Sequence, residues 1–555
     1  MKYWITALFA LGALAACSQP REPAIADPAT ERSITGGTII GFQQSDIGAD
    51  IWLGVPFADP PTGALRWRAA QPHSGWAGTH QSLVHGSPCP QIANDLAAAS
   101  YGVEAGSIVG SEDCLFVDVY APRAPEVDGP LPVMVWIHGG GNLWGTTADY
   151  SGAQMAVDQN VVVVMLQYRM GPFGYFAHPA VFDPETGANF AHTDQVRALE
   201  WVRDNAAQFG GDPGNVTVFG ESAGGRNTGV VLQSPMTEGL FHRAIVQSGF
   251  FSSSTLEDAE TSAIAMAAEM GAENADDLRG LSVADIFAPY LEGNRLDQMP
   301  RVIADGVTIN RAGLREAFDD PDGFHRVPII TGTNRDEMKL FNVFEPELAN
   351  RYFGLYITTP DPDLYDAVSD YQARNWRLGA VDDFSNQLLA AGHTDIWAYR
   401  FDWDEGGSFL GMDMARLFGA AHAFEIPFVF NHFDVYGRFG PILFNDENAP
   451  GRERLAAEMG TYWAELARVG DPGGIPGIVW QRWDENGRLM RFDSPGDGGS
   501  EIITGLETET ALLTDMMNDP RLEPEERCAL FTVSLIDWRP SLADHPLAEQ
   551  ICPSR

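Results

Sequence analysis

The residues best suited to covalent chemistry lie in Gly220-Glu221-Ser222-Ala223-Gly224, placed directly after the apolar run Val216 to Phe219 and before a stretch that can be helical. Small residues on either side of Ser222 allow a tight strand-to-helix turn that leaves its hydroxyl exposed at a helix N-terminus. A serine hydroxyl is a weak nucleophile near neutral pH. It needs a neighbouring base, and the oxyanion formed by its attack on a carbonyl needs preorganised donors. A source of donors stands upstream, where His138-Gly139-Gly140-Gly141 follows the apolar run Leu131 to Ile137. Glycines leave backbone N–H groups uncovered, so Gly140, Gly141 and the N–H of Ala223 are expected to form an oxyanion hole. A phosphate-binding loop would end in Gly-Lys-Ser/Thr, which this stretch lacks. The chemistry these residues suit is acyl transfer through an intermediate on Ser222. Glu221 and Trp144 join them as candidate substrate contacts.

Positioning two such loops requires short strands with buried ends. Leu131 to His138, Val161 to Tyr168, Val216 to Gly220, Ala244 to Ser248 and Val327 to Thr331 are Val/Ile-rich runs of the kind buried on both faces of a sheet. Between two of them, Thr193 to Phe209 carries Val196, Leu199, Val202 and Phe209 in an approximate helical stripe, with Asp194 and Arg203 off it. Strands alternating with helices predict an α/β fold with a mainly parallel sheet covered on both faces. The more irregular Leu256 to Arg326, with Glu345 to Asn375, is expected to cap the catalytic edge.

Composition excludes several function classes. With 45% apolar and 20% charged residues, the 555-residue chain has the makings of a large core. A formal charge of −41 repels nucleic-acid phosphates, so no nucleic-acid partner is expected. The chain opens on Met1-Lys2-Tyr3 and an apolar run from Trp4 to Ala16, too short to span a membrane but suited to a signal peptide over 1–16. It ends in Leu14-Ala15-Ala16-Cys17-Ser18, which resembles the lipobox of bacterial lipoproteins. Cys17 is therefore the expected lipidation site, residues 17–35 a tether, and 36–555 one folded domain. The expected location is the cell envelope, anchored to a membrane through that lipid. Cys17 apart, the five cysteines leave Cys89 near Cys114 and Cys528 near Cys552. Four cysteines allow three connectivities, and local closure is favoured because the pairs lie at opposite ends of the chain.

Longer motifs surround the serine. Val218-Phe219-Gly220-Glu221-Ser222-Ala223-Gly224-Gly225 and Glu112-Asp113-Cys114-Leu115-Phe116-Val117-Asp118-Val119-Tyr120-Ala121-Pro122 resemble the two signatures of the type-B carboxylesterase and cholinesterase family. Gly54-Val55-Pro56-Phe57-Ala58, Gly210-Gly211-Asp212-Pro213 and Gly332-Thr333-Asn334-Arg335-Asp336-Glu337 extend the resemblance over about residues 35 to 545. It implies an α/β-hydrolase fold with helical cap insertions and hydrolysis of small-molecule carboxylic esters without a metal or organic cofactor. It implies Glu337 as the triad acid, with Asp336 the alternative, and His422 as the base in Gly419-Ala420-Ala421-His422-Ala423-Phe424-Glu425-Ile426-Pro427-Phe428. It also pairs Cys89 with Cys114 and implies that Ser248 supports the triad. The same triad serves amide or lactone hydrolysis, and the fold also serves as a noncatalytic adhesion module, though those relatives typically lack a triad residue.

The chain departs from the family at Arg226 and Asn227, where small or apolar residues are common, and at Met338, which replaces a glycine. No tryptophan lies between Cys89 and Cys114, where cholinesterases carry their choline-binding aromatic, so a true cholinesterase is disfavoured. Arg226 stands four residues after Ser222, one helical turn along the same face. Its expected role is pairing with a buried carboxylate. The alternative is a pocket position where it receives an anionic group of the substrate.

Overall fold

The structure is a computed structural model that describes residues 24–553 apart from 95–97, 99–100, 293–294 and 353–355. The expected signal peptide and Cys17 lie outside the described residues. One eleven-stranded sheet comprises β1 (Phe42–Gln44), β2 (Ala49–Pro56), β3 (Phe116–Pro122), β4 (Leu131–Ile137), β5 (Val162–Leu166), β6 (Gly211–Glu221), β7 (Arg243–Gln247), β8 (Ile329–Asn334), β9 (Ile396–Phe401), β10 (Leu489–Phe492) and β11 (Glu501–Ile503). The five Val/Ile-rich runs become its central strands, β4 to β8. Their spatial order is β11-β10-β9-β8-β7-β6-β4-β5-β3-β2-β1. Strands from β5 through β10 run parallel, and the pairs at both edges are antiparallel.

Strand β4 shows why the sheet is buried on both sides. All seven of its residues are buried. Val133, Val135 and Ile137 join one core cluster with Ala198, Leu199 and Val202 of helix α2 (Phe190–Asn205) and Val230 and Val231 of helix α3 (Ala223–Gln233). Met134 and Trp136 point the other way, into a cluster with Leu455, Met459 and Trp463 of a helix spanning Ala449–Val469. Period-two alternation thus serves two helix layers at once. The fold is an α/β-hydrolase arrangement, a mainly parallel sheet between helices, as the sequence implied.

Strand order places the loops. The chain passes from β4 to β5 on one side, then returns to lay β6 on the other side of β4. Such a switch opens a crevice at the carboxyl ends of the flanking strands, where His138 to Gly141 and Ser222 emerge.

The segment from 256 to 326 forms helices Leu256–Glu269, Ala275–Gly280 and Val283–Leu291, with a small core of their own against Trp67, Phe173 and Phe176. Helix α4 (Pro362–Arg377) approaches from the other side. Cys89 is bonded to Cys114 and Cys528 to Cys552, so both closures are local. One side chain is placed against expectation in its role. Asp194 is wholly buried and forms an ion pair of 2.7 Å with Arg169, because α2 is covered beyond its apolar stripe. A carboxylate there is tolerated because Arg169 also donates its backbone N–H at 3.0 Å. Among the described residues no helix is long and apolar enough to cross a membrane.

Candidate active site

Ser222 sits at the junction of β6 and α3 with φ 59° and ψ −118°, a strained conformation that side chains rarely adopt. Two glycines make the turn possible. A Cβ on Gly220 would lie 2.6 Å from the Ile137 carbonyl oxygen and from backbone atoms of Gly224, and a Cβ on Gly224 would collide with the same carbonyl. The elbow therefore presses directly against the end of β4, and its first neighbour there is Gly139, where a Cβ would meet Glu221 Oε2 at 2.9 Å and the Ser222 Cβ at 3.2 Å. The Ser222 N–H donates to the Gln247 carbonyl at 2.9 Å, tying the elbow to β7 as well.

The glycine loop continues through Gly140 (φ 98°) and Gly141 (φ 67°), both in the left-handed region. Trp144 folds back over it, donating its N–H to the Gly140 carbonyl at 3.1 Å. Among the described residues the N–H groups of Gly140, Gly141 and Ala223 donate to no protein acceptor. Beneath the loop, the Tyr168 hydroxyl donates to the His138 carbonyl (2.8 Å) and to Asn142 Oδ1 (3.2 Å). His138 itself is fully buried, stacked on Tyr168, with its pKa pushed down to about 4 by burial. It supports the loop as a neutral ring.

Glu337 and His422 come from separate loops that the backbone holds side by side: the Asp336 N–H donates to Ala420 O at 3.0 Å, and the His422 N–H to Glu337 O at 3.3 Å. The His422 Nδ1 lies 2.5 Å from Glu337 Oε2. The other carboxylate oxygen of Glu337 accepts from the Ser248 hydroxyl (2.6 Å), the Thr333 hydroxyl (2.8 Å) and the Asn334 N–H (2.8 Å). Although burial works against its charge, His422 and these donors hold the Glu337 carboxyl below its usual value. Asp336 faces away, accepting from Arg335 at 2.7 Å and the Ala420 N–H at 3.0 Å, with Lys339 at 3.3 Å.

Two further carboxyls crowd the imidazole. Glu221 Oε1 lies 3.0 Å from His422 Nε2, without the alignment of a directed hydrogen bond. Glu425, fully buried, accepts from Asn334 (2.6 Å) and Gln247 (3.1 Å). Burial pushes Glu221 well above its usual value, and burial with the nearby Glu337 charge pushes Glu425 up to about 7. For His422 burial favours the neutral ring, but Glu221 and Glu337 outweigh it and raise the pKa to about 9. The ring is walled by Trp376 (4.8 Å between centroids) and Phe341 (5.2 Å), with Phe250 and Trp538 packed on Trp376.

Reading the sequence missed part of this wall. Trp376 lies one residue past the stretch expected to cap the site, and the acid three residues beyond His422 was a legible signal for Glu425. Nothing local marked Thr333 or Phe250. The expected carboxylate partner of Arg226 is also absent. Among the described residues Arg226 forms no ion pair, and its Nε donates instead to the Phe250 carbonyl at 2.8 Å. The reason is geometric, since α3 carries Arg226 toward the loop after β7, where the nearest polar group is backbone.

Known proteins resemble the chain over most of its length. Residues 28–353 match the model of the carboxylesterase family. The chain is 32% identical to a para-nitrobenzyl esterase of Bacillus subtilis over 480 residues, covering 80% of this chain and 90% of that one. It is 32% identical to a fumonisin B1 esterase of Sphingopyxis macrogoltabida, covering 86% and 88%, and 30% identical to a human cocaine esterase, covering 88% and 92%. A solved PNB esterase superposes with a TM-score of 0.70 at 29% identity, covering 87% of this chain and 99% of that one. With a family model matching more than half of its length and relatives matching nearly all of it, the chain belongs to the carboxylesterase family and is an esterase.

Proposed function

We propose that this esterase hydrolyses carboxylic esters through an acyl-enzyme on Ser222, with His422 as base and Glu337 as the orienting acid. The observation that carries the reading is the 2.5 Å contact between Glu337 and His422 Nδ1, with the other Glu337 oxygen held by three donors. A carboxylate fixed in that way selects the tautomer that leaves Nε2 free to accept a proton. His422 then takes the Ser222 proton as the oxygen attacks the ester carbonyl. The negative charge on the carbonyl oxygen develops toward the N–H groups of Gly140, Gly141 and Ala223, for which no acceptor is found among the described residues. The imidazolium returns its proton to the leaving alcohol. Water, deprotonated in turn by His422, cleaves the acyl-enzyme and releases the carboxylic acid.

Residues 36–555 act as one hydrolytic unit, and the leader with Cys17 holds it at the envelope. A panel of p-nitrophenyl esters, anilides and lactones tests the chemistry, with Ser222→Ala beside it. Esters should be turned over fastest, and the variant should lose several orders of magnitude while keeping its fold, since triad members act as a unit. Retained hydrolysis by Ser222→Ala would sink the assignment.

A further inference from the structure

Arg226 is a cation with no anionic partner among the described residues of this acidic chain. It begins one helical turn after Ser222, its backbone N–H donating to the Ser222 carbonyl at 2.9 Å. Its Nε is spent on the Phe250 carbonyl, and Phe250 packs on Trp376, which packs on His422. The guanidinium is therefore tied to the backbone of a residue whose ring belongs to the aromatic wall around the reacting groups. Among the described residues its two Nη groups donate to nothing in the protein.

A second guanidinium comes from the cap. Arg301 follows Met299, which is buried in the cap core together with Leu143 of the glycine loop. It precedes Val302, whose carbonyl accepts from the Ser254 N–H at 3.0 Å, four residues beyond Phe250. Arg301 is thus suspended between the oxyanion loop and the Phe250 loop. Its Nε is buried without a partner, and it forms no ion pair among the described residues. Burial and the like charge of Arg301 hold the Arg226 pKa down at about 10, so both side chains remain cations at neutral pH. Both side chains are partly buried, and two like charges close enough to repel are unfavourable unless an anion joins them; Asp297 offsets the charge of Arg301 alone. The contrast with Arg169 is direct, since that buried guanidinium is neutralised by Asp194 at 2.7 Å.

We propose that Arg226 and Arg301 form an anion subsite beside Ser222, so that the preferred substrates are esters that carry a free carboxylate within reach of the scissile bond. This rests on the esterase reading and adds the substrate class to it. A planar guanidinium offers two parallel donors to a carboxylate, and Arg226, with Nε fixed, presents its Nη groups in a set direction. The subsite also gives a purpose to a positive spot in a chain of charge −41, which otherwise repels anionic substrates.

The test compares three chromogenic or titratable esters: neutral p-nitrophenyl butyrate, mono-p-nitrophenyl glutarate with the carboxylate on the acyl side, and 4-acetoxybenzoate with it on the alcohol side. The readout is the ratio of kcat/KM for each anionic ester to that for the butyrate. In Arg226→Met and in Arg301→Met this ratio should fall at least tenfold for one of the two anionic esters, mainly through KM. Arg226→Lys should fall between parent and Arg226→Met. A merely structural arginine would depress all three esters alike, together with the melting temperature, and that result overturns the subsite. Ratios equal to the parent's for both anionic esters overturn it as well. Failure of the esterase reading looks different: the parent enzyme would not hydrolyse any of the three.

Discussion

Asn142 and Asn227 exchange side-chain hydrogen bonds across the active-site crevice. Asn227 Nδ2 donates to Asn142 Oδ1 at 2.8 Å, and Asn142 Nδ2 donates to Asn227 Oδ1 at 3.2 Å, both fully buried. One partner follows the glycine loop and the other lies on the helix that begins at Ser222, so the pair locks the oxyanion donors to the nucleophile. Asn142 is held with φ 62°, a conformation asparagine tolerates better than most residues. Replacing Asn227 with Leu strands the Asn142 Nδ2 donor, while Oδ1 keeps the Tyr168 hydroxyl. A cost of about 1–3 kcal/mol in stability is expected, with kcat for p-nitrophenyl butyrate falling more than KM changes. An unaltered kcat would show that the loop keeps its geometry without the pair.

Glu337 and Asp336 are neighbours with separate tasks. Glu337→Gln should lower kcat/KM by several orders of magnitude while leaving the fold in place. Asp336→Asn should act on stability instead, because Asp336 receives Arg335, Lys339 and the Ala420 N–H. Although burial works against its charge, Arg335 and Lys339 hold its folded-state carboxyl below the usual aspartate range. A depressed carboxyl contributes stability above its unfolded-state pKa and loses it as pH falls through the folded value. The loss on Asp336→Asn, about 1–3 kcal/mol, should therefore be seen in chemical denaturation at pH 7 and shrink as the pH falls below the ordinary aspartate range. Equal losses of activity in the two variants would leave the acid unassigned.

Activity should climb into the alkaline range. A His422 pKa of about 9 means that the ring binds its proton more tightly than an ordinary histidine, and while charged it cannot accept the Ser222 proton. The rise in kcat/KM for a neutral ester is thus expected well above pH 6.5. Glu221→Gln removes the carboxyl 3.0 Å from Nε2, which raises the ring when ionised against the opposing effect of its own burial, while keeping the shape of the side chain. The rising limb should move down by about one pH unit. A limb at the same pH in both enzymes would show that Glu221 carries no charge there, leaving Glu337 alone to raise the ring.

Export and anchoring are tested on the whole chain. The mature protein should begin at Cys17 and carry a lipid, read by intact mass, and Cys17→Ser should move it from the membrane fraction to the soluble one. Nonreducing peptide mapping should recover the Cys89–Cys114 and Cys528–Cys552 bonds. Unchanged partitioning of Cys17→Ser would remove the anchor.

The sequence by itself determined the five central strands and the elbow. Runs such as Leu131 to Ile137 are apolar at every position because both faces of the sheet are covered, and Gly220 and Gly224 are required by a turn only a few residues long. These are local constraints, and local constraints are written in adjacent residues. Glu337 and His422 were legible only through their motifs, because a separation of 85 positions carries no spacing that says they touch. What the tertiary structure alone decided are the partners of polar groups across loops: Asn142 with Asn227, Ser248 and Thr333 on Glu337, and Glu221 and Glu425 crowding one imidazole. Arg226 is the clearest case, since its position on the helix was readable but its lack of an acid was not. Whether a buried charge is neutralised depends on which distant segments fold against it, and that is set by the packing of the whole chain.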